Sequence, residues 1–281
     1  TKEDKTAAVE KEKVIDVAWV FDVDGVITDP EKKIITNPAL LQEIVKRIQR
    51  KEPVALVTGR DLGFVEDRVV CYIESEIDSP ELLDNLFVSG EFGGTYILHE
   101  NAQRRYFVNQ DISVPQAIIE KAKQLTQEFS DSMFFDQNKK TMVSIEMKDG
   151  LAVAEFKPRQ KELIPKLKQI LEDHNASDES EVHEDRIATN IRSQRANKAY
   201  AARQVLDWLS KKGIKPQKYI VFGDNSSDKE MADAINNNGL NIEFVFVGER
   251  HELQTSAGYQ TTFTKNKLAE GTLEYLREQK V

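Results

Sequence analysis

The sequence predicts an α/β fold: a doubly wound, mainly parallel, Rossmann-like core sheet interrupted by an inserted α+β cap. Three observations carry this expectation. Apolar runs at 14–21, 54–57 and 219–222 each stop at a polar or acidic turn, as buried parallel strands do where they border a ligand crevice. Amphipathic stretches with apolar residues at helical spacing separate the runs. Between about 99 and 188 the pattern changes to short strands and two long helical stretches, and none of the polar turns recurs there. The expected organisation is therefore a first core part at 1–98, a cap at 99–188 and a second core part at 189–281.

In chain order, residues 1–13 are charged and poorly periodic, and a short helix or frayed end is expected there. The run 14–21 reads as a buried strand leading into Asp22-Val23-Asp24-Gly25. Asn37 and Pro38 read as the cap and first residue of a helix with an apolar stripe of Leu40, Leu41, Ile44, Val45 and Ile48. Pro53 introduces the strand 54–57, and a further strand is expected near Leu86-Phe87-Val88, followed by Gly90, Gly93 and Gly94, which mark a domain junction or a tight hairpin. Inside the insert, Ile118, Ile119, Ala122, Leu125 and Phe129 mark one helix, and Leu163, Ile164, Leu167, Ile170 and Leu171 another. Residues 141–147 alternate as a strand does. Residues 172–185 carry seven acidic side chains and read as a solvated loop without a catalytic task. Lys198 then opens an amphipathic helix, 219–222 and 243–247 read as strands, and a terminal helix runs through Leu268, Leu273 and Leu276.

Composition excludes several classes of function. At 281 residues, one large or two modest domains are expected. No apolar run approaches the roughly 20 residues needed to span a bilayer, so no membrane partner is expected. The net charge of -9 disfavours unspecific binding to nucleic acid. Phosphate would have to be captured by local cations. The single cysteine, Cys71, excludes an internal disulfide and suits a reducing compartment, so a cytoplasmic location is expected.

The chemistry-bearing residues sit at the ends of the predicted strands. Phosphate ester hydrolysis needs a nucleophile, relief of charge on the phosphoryl oxygens and a proton for the leaving alkoxide. Asp22 suits the nucleophile, because a carboxylate can form an aspartyl-phosphate that splits one displacement into two. Asp24 suits the general acid and base. Two anions do not approach each other unaided, so Mg²⁺ is the expected cofactor, held by Asp22, the Asp24 main-chain carbonyl and Asp224, with Asp228 supporting it from behind or simply capping a helix. The four histidines show no metal-ligand spacing. Thr58 can donate a hydroxyl to phosphate, Gly59 lets the backbone approach, and Arg60 can pair with phosphate or with a carboxylate. Lys198 places an ammonium in the first turn of a helix, where it opposes the macrodipole and therefore calls for an anion.

In their order and contexts, Asp22-x-Asp24, Thr58, Lys198 and the loop Gly223-Asp224-Asn225-Ser226-Ser227-Asp228 resemble the four motifs of the haloacid dehalogenase superfamily. The resemblance implies the same roles for Asp22 and Asp24 and a phosphate-binding role for Thr58. Many members carry Lys-Gly at the third motif, whereas this chain has Lys198-Ala199. An insert between Thr58 and Lys198 resembles the large caps of sugar-phosphate phosphatases in this superfamily. Lys140, Ser144 and Glu146 in that cap, and Arg192 near its return, are candidate contacts to the leaving group. The loop from Gly223 to Met231, Val247-Gly248 and Ala257-Gly258-Tyr259 are similar to the final segments of trehalose-phosphate phosphatases. The implied partner is a small phosphorylated metabolite, a sugar phosphate such as trehalose 6-phosphate. A phosphomutase and a non-catalytic sugar-phosphate sensor are the alternatives.

Overall fold

The computed structural model describes residues 11–255 and 258–279. The chain runs β1 (Lys13–Asp22), α1 (Pro38–Gln49), β2 (Val54–Val57), α2 (Leu62–Val65), α3 (Cys71–Glu76), β3 (Leu86–Gly90), β4 (Thr95–Glu100) and β5 (Gln103–Val108). It continues through α4 (Gln116–Thr126), β6 (Met133–Phe135), β7 (Val143–Met147), α5 (Val153–Asp173), β8 (Ser180–Glu184) and β9 (Ala188–Ser193). The last part is α6 (Lys198–Lys211), β10 (Ile214–Gly223), α7 (Lys229–Asn237), β11 (Ile242–Phe246), β12 (Gln260–Phe263) and α8 (Leu268–Glu278).

Eight strands form a large sheet in the order β12-β11-β10-β1-β2-β3-β4-β5, and four form a small sheet in the order β6-β7-β9-β8. From β12 to β3 the large sheet is parallel, and β4 and β5 extend it antiparallel. A parallel sheet covered on both faces needs strands apolar on both sides. The C-terminal half of β1 meets that need: Trp19 and Phe21 join one core with α1, α3 and α8, while Ala18 and Val20 join the other with α6 and α7. The small sheet has one apolar face. Val143, Ile145 and Ile191 pack there against Ile118, Phe156, Leu163 and Leu167 of α4 and α5. Its other face carries Ser144, Asn190 and Arg192, with Asn190 paired in register to Ser144 and His183. Among the described residues no helix is long and apolar enough to cross a membrane.

Strand pairing is as follows at the two ends of the insert expected at 99–188. The segment after residue 98 does not leave the core: β4 and β5 pair as a hairpin, and the chain departs after Val108. The turn is made by Asn101 and Ala102, both left-handed (φ 51° and 65°), the geometry a tight hairpin favours. At the far end β9 belongs to the small sheet. The acidic segment 172–185 is likewise not all loop. It closes α5 and then forms β8, an edge strand of the small sheet. The expectation for 1–13 lies outside the described residues up to 10, and Lys13 already belongs to β1. Ala257 of the Ala257-Gly258-Tyr259 segment also lies outside them.

Helix α1 starts as expected, with Asn37 accepting from the amides of Ala39 and Leu40 and Pro38 in the first position. Arg47 is 1% exposed and ties the helix to the chain's end. It donates to Glu43 Oε2 at 2.9 Å, to the Glu43 carbonyl at 2.8 Å and to the Leu276 carbonyl at 3.1 Å, and it stacks over Trp19 at 4.3 Å. Arg47→Ala is expected to destabilise the protein by about 2–4 kcal/mol, because it strips partners from groups buried between α1 and α8. Denaturant unfolding measures this, and a change within about 0.5 kcal/mol, the range of an ordinary surface substitution, would reject the assignment.

Candidate active site

Strand ends of the large sheet bring the acidic residues together. Asp22 closes β1, where it pairs in register with Val57 of β2, and Thr58 follows directly. On the other side of β1 Phe21 pairs with Phe222 of β10, so the Gly223-Asp224 turn emerges beside Asp22. Oxygens of Asp22, Asp224 and Asp228 all lie within 4.8 Å of one another. Asp22 is 5% exposed and Asp228 is fully buried.

Close approach explains three glycines around the cluster. Gly25 has φ 76°, and a Cβ there would stand 2.5 Å from Asp224 Oδ2. At Gly223 a Cβ would meet that of Asp228 at 2.3 Å, and at Gly248 one would meet the Asp224 carbonyl oxygen at 2.2 Å. Asp228 caps the turn and also reaches the cluster. Its Oδ2 accepts from the amides of Asp224 and Asn225 at 3.0 and 3.2 Å, completing a capping box with Asn225, while Oδ1 lies 3.2 Å from Lys198 Nζ.

Lys198 is the anion-seeking cation that its position required. Asn197 caps α6 by accepting from Tyr200 N at 2.8 Å, and the buried Lys198 side chain reaches into the cluster. Its ammonium donates to Asp22 Oδ1 and to the Val57 carbonyl at 3.3 Å. Burial opposes its charge, but Asp22 and Asp228 outweigh burial and hold the ammonium protonated. One ammonium does not neutralise three carboxylates. Burial, then Asp228 and Asp224, push the Asp22 carboxyl up against the pull of Lys198. Burial and Asp228 push Asp224 up to about 7. Asp224 Oδ1 is buried without a hydrogen-bond partner. An all-oxygen cluster with surplus negative charge and an orphaned oxygen fits a hard divalent cation, and no histidine or cysteine belongs to it.

The Asp24 carboxylate is not one of the three in this cluster. Arg60 donates through Nε and Nη2 to its two carboxylate oxygens, each at 3.3 Å, so Arg60 takes the carboxylate of its two expected partners. Thr58 is 1% exposed, and its hydroxyl accepts from Arg60 N at 3.0 Å, leaving the hydroxyl proton to donate. Gly59 is required by a neighbour: a Cβ there would stand 2.4 Å from the ring of Phe92.

A cavity of about 170 Å³ opens above Lys198 between the two sheets, lined by Phe92, His183, Asp185, Arg192, Ser227 and Glu230 among others. Arg192 reaches it from β9, stacked 4.2 Å over the Phe92 ring. Burial depresses its guanidinium, partly offset by Glu181, Asp185 and Glu230; its Nε is buried without a partner. Glu230 is pushed up by burial, with Arg192 drawing it back. Ser144 and Glu146 share the open face of the small sheet with Arg192 and bond to each other at 3.4 Å. Lys140 does not line the cavity. Its backbone amide, held by Glu91 Oε1 at 2.8 Å, makes its contact. The sequence reading missed Phe92, His183, Asp185 and Glu230. Only Glu230, two residues beyond Asp228, carried a positional signal.

A model of the haloacid dehalogenase-like hydrolase family matches residues 19–238. Among solved structures the chain is similar in fold to Aspergillus fumigatus trehalose-6-phosphate phosphatase, with 18% identity over 93% of this chain and 91% of that chain and a TM-score of 0.57. It is similar to the C. albicans trehalose-6-phosphate phosphatase C-terminal domain, with 17% identity, coverage of 93% and 91% and a TM-score of 0.63. A haloacid dehalogenase-like hydrolase from Bacteroides thetaiotaomicron aligns with 14% identity, coverage of 95% and 99% and a TM-score of 0.63. No curated protein matches the chain.

Two outcomes are expected from this geometry. A carboxyl raised to about 7 in the folded state ionises earlier when unfolded, so its contribution to stability is present below the ordinary carboxylate range and is lost as pH rises toward 7. Metal-free protein should therefore lose melting temperature between pH 5 and pH 8 on account of Asp224, and a divalent cation should restore more at pH 8 than at pH 5; cation stabilisation that shrinks with rising pH would contradict this. Gly25→Ala, which drives a methyl into Asp224, should weaken divalent-cation binding by about tenfold or more in calorimetric titration. Unchanged affinity would show that Asp224 takes no part.

Proposed function

The chain belongs to the haloacid dehalogenase-like hydrolases, and within that family we propose that it is a Mg²⁺-dependent phosphatase acting on a small phosphorylated metabolite, a sugar phosphate such as trehalose 6-phosphate. The observation that carries this reading is the buried convergence of Asp22, Asp224, Asp228 and Lys198 beneath a polar cavity. The small sheet with α4 and α5 is the cap, inserted between two parts of a core built on the large sheet.

Asp22 is the nucleophile. Lys198 holds its Oδ1, which leaves the other oxygen to attack phosphorus while the bond to the leaving oxygen breaks. Asp24 donates its proton to the leaving alkoxide, then takes one from the water that attacks phosphorus and releases Asp22. The Arg60–Asp24 pair is about one-third exposed on both sides, so it parts at small cost and frees Asp24 for proton transfer. The Thr58 hydroxyl and the Lys198 ammonium stabilise phosphoryl oxygens. Mg²⁺ would be held by Asp22, Asp224 and the Asp24 carbonyl, with Asp228 behind them, and would supply charge neutralisation between nucleophile and phosphate.

Arg192, Glu230, Asp185 and His183 give the cavity both signs of charge with donors and acceptors. That mixture suits the hydroxyls of a sugar better than a bare apolar leaving group. Lys140, expected from the sequence to touch the substrate, is assigned no such contact. A cytoplasmic site of action belongs to the same reading and is supported by the single free cysteine, Cys71.

Phosphate release over a panel of sugar phosphates with Mg²⁺ tests the proposal. Asp22→Asn should abolish release with the fold intact by circular dichroism, and Asp24→Asn should lower it by about 10²–10⁴-fold. Release by the Asp22 variant at the wild-type rate would remove the nucleophile. Isomerised sugar phosphate in place of free phosphate would make the protein a mutase.

A further inference from the structure

We infer that Glu91 is a positioning residue that fastens the small sheet to the loop carrying Thr58 and Gly59, so that one turn sets both the cap and the phosphate-binding backbone. The functional part of this inference rests on the phosphatase reading. Glu91 is 1% exposed, and its carboxylate reaches across to the other sheet's segment. Oε1 accepts from Lys140 N at 2.8 Å, Thr141 N at 2.9 Å and Thr141 Oγ1 at 3.1 Å, and Oε2 accepts from Thr95 Oγ1 at 3.4 Å. Thr141 is pressed so closely on the turn that a Cβ on Gly94 would stand 2.0 Å from its hydroxyl. The site of this contact is where the chain leaves the large sheet: Asn109 N donates to the Gly94 carbonyl and Val114 N to the Thr141 carbonyl, both at 2.8 Å.

The same turn is bonded to the catalytic loop. Glu91 N donates to the Arg60 carbonyl at 2.9 Å, and Phe92 N donates to the Thr58 carbonyl at 3.2 Å. The Phe92 ring then covers Gly59 on one side and carries Arg192 on the other. Glu91 and Phe92 are consecutive non-glycine residues in the left-handed region, with φ 50° and 56°. Such a pair persists only where its surroundings over-determine it, and here the surroundings are the two bonds to the loop and the carboxylate's bonds to the cap segment. Losing the carboxylate would let Phe92 leave Gly59 and deprive Arg192 of its stacking partner, loosening both sides of the cavity together.

Amide hydrogen exchange in Glu91→Ala, Glu91→Gln and Thr141→Val, followed on segments 58–60 and 137–141, with titration of inorganic phosphate in the presence of Mg²⁺, tests the inference. Glu91→Ala should speed exchange in both segments by about tenfold or more while β1 and β10 keep wild-type protection, and it should weaken phosphate by about tenfold. Glu91→Gln, whose amide oxygen still accepts, should recover most of both effects. Thr141→Val should show the same two-segment pattern to a smaller extent, and it carries the test if the alanine variant fails to fold. Faster exchange at 137–141 alone with unchanged phosphate affinity would overturn the coupling, as would uniform acceleration including β1 and β10. A wild-type protein that hydrolyses no phosphate ester would end the phosphatase reading while leaving the exchange result to decide the coupling.

Discussion

Three carboxylates converge at the carboxyl ends of β1 and β10, where one ammonium pairs with two of them, and most of what surrounds them follows from that imbalance. In water the surplus charge would disperse, but here Asp22, Asp228 and Lys198 are buried. The fold holds the acids together through rigid parallel strands, through glycines that admit Asp224 and Asp228 at distances no Cβ would allow, and through backbone amides that fix Asp228. Holding them is costly for the protein alone. Raised carboxyls at Asp22 and Asp224 are the expression of that cost, and a dication is a ligand that would relieve it.

Above this centre the charges are mixed rather than matched. Arg192 is a half-buried guanidinium with an orphaned Nε, ringed by acids but in no ion pair among the described residues. Its position depends on Phe92, and Phe92 depends on a turn that also holds the cap segment. On the proposed reading specificity and phosphate capture would be joined in this one short stretch of chain, in which two left-handed residues are held by hydrogen bonds to both partners.

Much of the site was legible in the sequence because a parallel sheet makes position along the strand equivalent to position in space. Asp22, Thr58 and Asp224 each follow an apolar run, and runs that pair in register deliver their final residues to one edge. Lys198 was legible for the complementary reason, as a cation at a helix start with no local anion. What stayed hidden depended on conformations that residue types do not advertise. Asn101-Ala102 turns a hairpin without glycine, so β5 was read as cap. Strand β8 is polar apart from Val182 because it is an edge whose open face looks toward the site, so charge density alone suggested a loop. Lys140 bonds to Glu91 through its amide, which every residue but proline possesses, so its residue type carried no signal for that contact. Glu91 and Phe92 sit in left-handed backbone that favours the glycines beside them, and the glycines drew the attention.

Stoichiometry and affinity for Mg²⁺, measured by calorimetric titration of the wild-type protein beside Asp224→Asn, test whether three carboxylates around a single ammonium have room for one dication. A single ion should bind the wild-type protein and be lost from the variant. Undiminished binding after Asp224 is neutralised, or none in either protein, would contradict it.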